Sequence, residues 1–181
     1  SATAAAGGQT AEPALDPAHA VEAPGRRTGL IAPADIVANG SKTIPQATVD
    51  RIRRLEGVLD VEQVALASVP IENRALSVAA VDPATYRNWV TASASAQTQQ
   101  VWDRVAGGEL AIRPGLRKRV PLDDDGFLAL GSTQDATKVH IGAYAPQSWL
   151  VDAVVNETWI PTLDMTPGNA LLIRTGGTAP E

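Results

Sequence analysis

The chain carries two histidines, His19 and His140, and no cysteine, so the side chains that most often do nucleophilic, acid–base or metal chemistry are scarce. A Ser-His-Asp relay needs an imidazole held between a hydroxyl and a carboxylate. His19 falls in an Ala- and Pro-rich stretch, and His140 stands between Val139 and Ile141, where a hydrogen-bonded structural histidine is the favoured reading. Without cysteine, disulfides, thiolate zinc sites, iron–sulfur clusters and cysteine nucleophiles are excluded. Asp123-Asp124-Asp125-Gly126 lacks the alternating carboxylates, central glycine and terminal glutamate of an EF-hand loop, and reads as a solvated hairpin turn. Gly107-Gly108 and Gly176-Gly177 lack the Lys and Ser/Thr spacing of a phosphate loop. No catalytic, cofactor-binding or metal-binding residue is assigned, and no cofactor is expected.

Binding is the chemistry that remains. Four tryptophans against one phenylalanine is an unusual balance. Trp102 and Trp149 read as buried helix positions. Tyr86 and Trp89 follow the strand-ending pair Asp82-Pro83, and Trp159 follows the end of an expected helix. Aromatics near element ends can anchor a partner. Packing is the favoured reading of these three, and Tyr86, Trp89 and Trp159 are the candidate partner-binding residues if such a surface exists. Arg113, Arg117, Lys118 and Arg119 form the one basic cluster, read as a solvated face opposing Asp123–Asp125, with lipid phosphates, wall polymers or an acidic partner as the alternatives. Asn39-Gly40-Ser41 and Asn156-Glu157-Thr158 match a glycosylation sequon that is short enough to arise by chance.

These residues need elements to position them. Residues 1–28 contain only Leu15 and Val21 as large aliphatics, with Pro13, Pro17 and Pro24 between them, and read as a disordered or extended tail or linker. Wrapping onto the domain is the minority alternative. Residues 29–177 read as a single α+β domain, and 178–181 as the start of a second linker. Thr43-Ile44-Pro45-Gln46 has the form of a capping box opening a helix over about 44–56. Val58 to Ile71 alternates as a strand, turns at Glu72-Asn73-Arg74 and returns through Leu76, Val78 and Ala80. A second helix is expected over about 95–106 and a third over about 147–157, with Trp149, Leu150, Ala153 and Val154 on one side. Short strands fill 109–112, 127–130, 138–144 and 170–174. The expected architecture is a small mixed, mainly antiparallel sheet backed by two or three helices.

Composition narrows the class. Apolar residues make up 44% of the chain, enough for a core, while aromatics are only 4%, so that core is aliphatic and small. A net charge of −5 argues against a nucleic-acid binder. No apolar run reaches the length of a membrane span. Arginine outnumbers lysine twelve to three, a bias that with the heavy alanine use points to a high-GC bacterium, such as an actinobacterium.

The run Leu55-Glu56-Gly57-Val58-Leu59-Asp60-Val61, then Ser77 to Tyr86 with Val81-Asp82-Pro83 at its centre, then Gly107-Gly108-Glu109-Leu110-Ala111-Ile112 and Leu116, resembles the extracytoplasmic core domain of MacB- and FtsX-like ABC transporter permeases. Glu56-Gly57-Val58 stands where Pro-Gly-Val is common in that family. The resemblance covers about residues 43–130, and Arg117 to Leu122 with the aspartate run replaces the usual glycine-marked loop. It implies a non-enzymatic domain at the extracytoplasmic face of the cell membrane, held between spans of the parent chain. Such a domain passes conformational change to an envelope protein partner or cargo, a cell-wall hydrolase among the options. The membrane would be met only through flanking segments. The alternative is a non-catalytic accessory or wall-binding module of an anchored or secreted cell-wall hydrolase.

Overall fold

The computed structural model describes residues 16–91, 98–132 and 134–176. Its frame is one sheet of eight strands: β1 (Ile36–Asn39), β2 (Val58–Ile71), β3 (Arg74–Val81), β4 (Leu110–Ile112), β5 (Phe127–Leu130), β6 (Thr137–Tyr144), β7 (Ala153–Asn156) and β8 (Ala170–Thr175). They lie in the order β1-β8-β2-β3-β7-β4-β6-β5. Only β3–β7 and β4–β6 are parallel; the other neighbours run antiparallel. The described helices are α1 (Gln46–Arg53), α2 (Pro83–Tyr86) and α3 (Gln99–Ala106). The α+β class and the mixed, mainly antiparallel sheet are as the sequence predicts.

Strand β2 organises the sheet. Its first half pairs with β8 from Val58 to Val64, and its second half pairs with β3 from Ala65 to Ile71. At the changeover, Asn169 stands in for a strand: its side-chain oxygen accepts from the Leu66 N–H and its amide donates to the Leu66 carbonyl, at 2.8 and 2.9 Å. The remaining strands curl until the Gly131 N–H donates to the Pro70 carbonyl at 2.9 Å, bringing the end of β5 back to β2. Inside the curl, Val69, Ile71, Leu76, Val78, Leu128, Leu130 and Trp159 form one core. On the outer face Ala79, Val81, Tyr86, Trp89, Trp102 and Val105 form a second under α2 and α3. Strand β3 therefore buries both faces, because helices cover the side that alternation alone leaves to solvent.

Three expectations are corrected. The helix expected over 147–157 is a loop followed by β7 and a 3₁₀ turn at Glu157–Trp159. Ala153, Val154 and Val155 are buried on both faces between β3 and β4, and so short an apolar run reads equally as helix or inner strand. The capping box is not formed. Pro45 is the N-cap of α1 without a side-chain bond, Thr43 donates instead to the Pro167 carbonyl at 2.7 Å, and Gln46 reaches forward to Asp50 at 2.8 Å.

The third concerns residues 16–28, expected as a tail or linker with wrapping onto the domain as the alternative. Residues 16–28 are extended, as one option had it, but they are strapped to the fold. The Asp16 and Val21 N–H groups donate to the carbonyls of Gly107 and Ala106 at the end of α3. Arg87, Gln99 and Asn88 donate to the carbonyls of Gly25, Pro24 and Thr28. A single 3₁₀ turn, Pro17–His19, is capped by Asp16 and places the His19 ring 3.7 Å from Trp159 at an interplanar angle of 9°. Backbone carbonyls of an Ala- and Pro-rich stretch do this work, so its lack of large side chains gave no sign of it. Residues 1–15, 92–97, 133 and 177–181, and with them the first three positions of the helix expected over about 95–106, lie outside the described residues.

Candidate functional site

The three aromatics weighed as a partner surface are interior: Tyr86 is 0%, Trp89 2% and Trp159 1% exposed. Each is fixed by its hydrogen bonds or ring contacts. The Tyr86 hydroxyl donates to Gln147 Oε1 at 3.1 Å and accepts from the Ser148 N–H at 3.0 Å, and burial pushes its phenol well above the usual range. The Arg174 guanidinium lies 4.3 Å over Trp89. The Trp159 indole N–H donates to the Gly108 carbonyl at 3.1 Å, and the strap histidine covers its face. These are packing residues: Tyr86 and Trp159 end their helical turns and Trp89 lies just beyond one, and the fold turns each inward.

Of the two tryptophans read as core, Trp102 is buried and Trp149 is at the surface. Trp149 is 67% exposed and its neighbour Leu150 60%. They form the tip of the 145–152 loop joining β6 to β7. Leu150 sits at φ 59°, a left-handed conformation that costs a side-chain-bearing L-residue about 1–2 kcal/mol. The surrounding structure holds it there. Tyr86 grips Gln147 and Ser148 from beneath. Arg113, at the end of β4, donates to the carbonyls of Ser148 and Val151. Asp152 closes the base: its N–H donates to the Ser77 carbonyl at 2.8 Å and its carboxylate accepts from the Ser77 N–H at 2.9 Å. An apolar pair is thus presented on a framed loop rather than on a loose one.

The basic cluster lies beside this tip. Arg113 belongs to the frame. Arg117, Lys118 and Arg119 are exposed on the connection that follows the 3₁₀ turn Pro114–Leu116. Arg117 lies 4.8 Å over Tyr144, the last residue of β6 before the loop. Asn73, in the β2–β3 turn, donates to the Arg119 carbonyl at 3.2 Å, which brings exposed Arg74 to the same end of the sheet. The aspartate turn that was expected to oppose these cations pairs elsewhere. Asp123 accepts from Lys138 at 2.8 Å, and that bond holds its carboxyl below the usual range.

The remaining candidates are structural. His140 bonds Glu109 at 2.7 Å, and Arg104 approaches the same carboxylate at 3.3 Å, so the mid-strand histidine is hydrogen-bonded as expected. Gly142 is required there, since a Cβ would stand 2.8 Å from the Glu109 side chain. Asn156 is fully buried, donates to the carbonyls of His19 and Val105 at 2.7 and 2.9 Å, and accepts from the Thr158 N–H at 3.0 Å; this sequon is a cap. Desolvation by burial raises the Glu62 and Glu157 carboxyls, with Asp82 nearby raising both further. Among the described residues no group of three His, Asp or Glu side chains could hold a metal ion, and no helix is long and apolar enough to cross a membrane.

Because Trp89, Trp102 and Trp159 are all 2% exposed or less, Trp149 alone supplies the solvent-facing part of the tryptophan emission. Replacing Trp149 with phenylalanine is expected to abolish the acrylamide-quenchable, red-shifted component while moving Tm by no more than about 2 °C. A larger fall in Tm would place Trp149 in a core. No family model matches the chain, and a comparison with curated proteins finds no match.

Proposed function

We propose that this chain is a non-catalytic interaction domain at the extracytoplasmic face of the cell membrane, of the kind found in FtsX- and MacB-like permeases, where it relays conformational change to an envelope partner or cargo. One observation carries the reading: the fold has a root and a tip. Asp16 lies beside Gly107, and Gly176 lies beside Gly57. Both lie toward the end of the sheet where β2 starts and β3 finishes. Trp149 and Leu150 project from the opposite end, where β4 and β6 finish and β7 starts. Between the two run β2, β3 and β7, joined by β-ladder hydrogen bonds, with both faces of β7 and of the inner part of β3 buried, and they make a stiff strut. A displacement applied at the root is then delivered at the tip.

The location is tested with an introduced thiol: this chain has no cysteine, and any cysteine elsewhere in the parent protein is replaced by serine. Gln134 is exposed in the β5–β6 turn, and in a Q134C variant of the parent protein a membrane-impermeant maleimide is expected to label this position in intact cells. Labelling that appears only after lysis would refute the extracytoplasmic placement.

A further inference from the structure

We infer that the Trp149–Leu150 tip docks into a shallow apolar pocket on a protein partner, and that carboxylates rim this pocket opposite Arg74, Arg117, Lys118 and Arg119. The inference rests on the reading above and names the chemistry of the partner at its tip.

Three properties of the tip support it. First, it has the form of an anchor: an exposed tryptophan with a leucine beside it, of the residue type that dominates binding hot spots when a pocket desolvates it. Second, it is pre-organised. Tyr86, Arg113 and Asp152 fix the loop backbone and Leu150 is already held in its left-handed conformation, so docking freezes little that is not frozen beforehand. Third, its charge runs against the charge of the molecule. The chain carries a net −5, yet the exposed charges on the neighbouring 117–119 segment are all positive, and none of them, nor Arg74, pairs with a carboxylate among the described residues. Of the acids near this end, Glu72 is exposed in the β2–β3 turn, Asp152 is turned inward onto Ser77, and Asp135 is exposed in the β5–β6 turn whose Gly131 bonds Pro70. Unpaired cations around an apolar anchor match a carboxylate rim, which would steer encounter and fix register.

A bilayer could also take a tryptophan and a basic rim. The position of the tip speaks against it, because the flanking spans of the proposed reading put the bilayer at the root, at the other end of the sheet.

The test places a photo-crosslinking benzophenone amino acid at Leu150 in the full parent chain and irradiates intact cells. The expected product is a covalent adduct with one protein. Binding of that purified protein to the full parent chain is expected to weaken at least about thirtyfold for W149A. It should weaken about tenfold or more for the R117E/K118E pair, mostly through the on-rate, and also between about 50 mM and about 500 mM salt. Both variants change exposed side chains, and their unchanged Tm serves as the folding control. Adducts with lipid alone, a blue shift of the Trp149 emission on adding phosphatidylglycerol vesicles, no adduct at all, or partner binding indifferent to salt would each overturn the inference. With Q134C labelled in the same cells, those results overturn the docking inference alone; failure of the Q134C labelling overturns the location reading.

Discussion

Replacing Trp89 with alanine is expected to destabilise the protein by about 3–5 kcal/mol, the usual cost of deleting a fully buried tryptophan, and to lower Tm by roughly 10 °C or more for a chain of this size. The indole lies in the outer core with Tyr86 and Trp102. Its loss opens a cavity between α2 and the sheet and takes away the ring beneath the Arg174 guanidinium. Arg174 keeps its bonds to the carbonyls of Ala32 and Asn88 at 2.7 and 2.9 Å, so the stretch around residue 32 stays tethered while the core beneath it loosens. Calorimetry or urea unfolding reads the change. A Tm within about 2 °C of the parent would mean that Trp89 is not a core residue, and would return it to the candidate partner surface. The contrast with Trp149, where the same measurement should barely move, separates interior from surface tryptophans in one experiment.

A chain starting at Gly29 is the second case. Without the strap, Trp159 loses the stacked His19 ring, and the Asn156 amide loses one of its carbonyl acceptors. Gln99 and Arg87 are left without the carbonyls of Pro24 and Gly25. Of these donors Arg87 and Asn156 are buried, and a buried donor that loses its partner costs about 1–3 kcal/mol, offset in part because thirteen residues no longer need ordering. The expected net loss is about 3 kcal/mol, or a Tm lower by roughly 6–12 °C. A second readout is optical: the uncovered Trp159 becomes open to acrylamide. A truncated chain as stable as the full one, with Trp159 still shielded, would show that residues 16–28 are an attachment rather than part of the domain.

Those two cases mark what was and was not legible in the sequence. The hairpin of β2 and β3 is legible: β2 is expected over the residues it occupies, and the turn expected at Glu72-Asn73-Arg74 lies where Ile71 pairs with Arg74. The Asp82-Pro83 stop is also legible, because Asp82 caps α2 through the Ala84 N–H. The strap is not, since its bonds come from backbone carbonyls that every sequence has. Strand β1 was missed because three apolar residues before Asn39-Gly40 show no pattern; β8 alone recruits it. The tip was misread for a related reason. Trp149 and Leu150 share a helical spacing with Ala153 and Val154, and only the parallel pairing of β7 with β3 decides against the helix. One sign was available: Pro146 beside Gln147 and Ser148 favours a turn as readily as a helix start.

The division of β2 between two neighbours also bears on how the chain reaches its native state. Its first half pairs with β8, whose residues lie more than a hundred positions later, and β8 is the last strand of the fold. Loop closure over such a distance is slow to nucleate. During synthesis the edge of β2 from Val58 to Val64 therefore has no partner until residue 175 has left the ribosome, and β1 has none either. An open, partly apolar edge invites pairing between chains. The newly made chain is thus in most need of protection by chaperones during the interval before its final strand arrives.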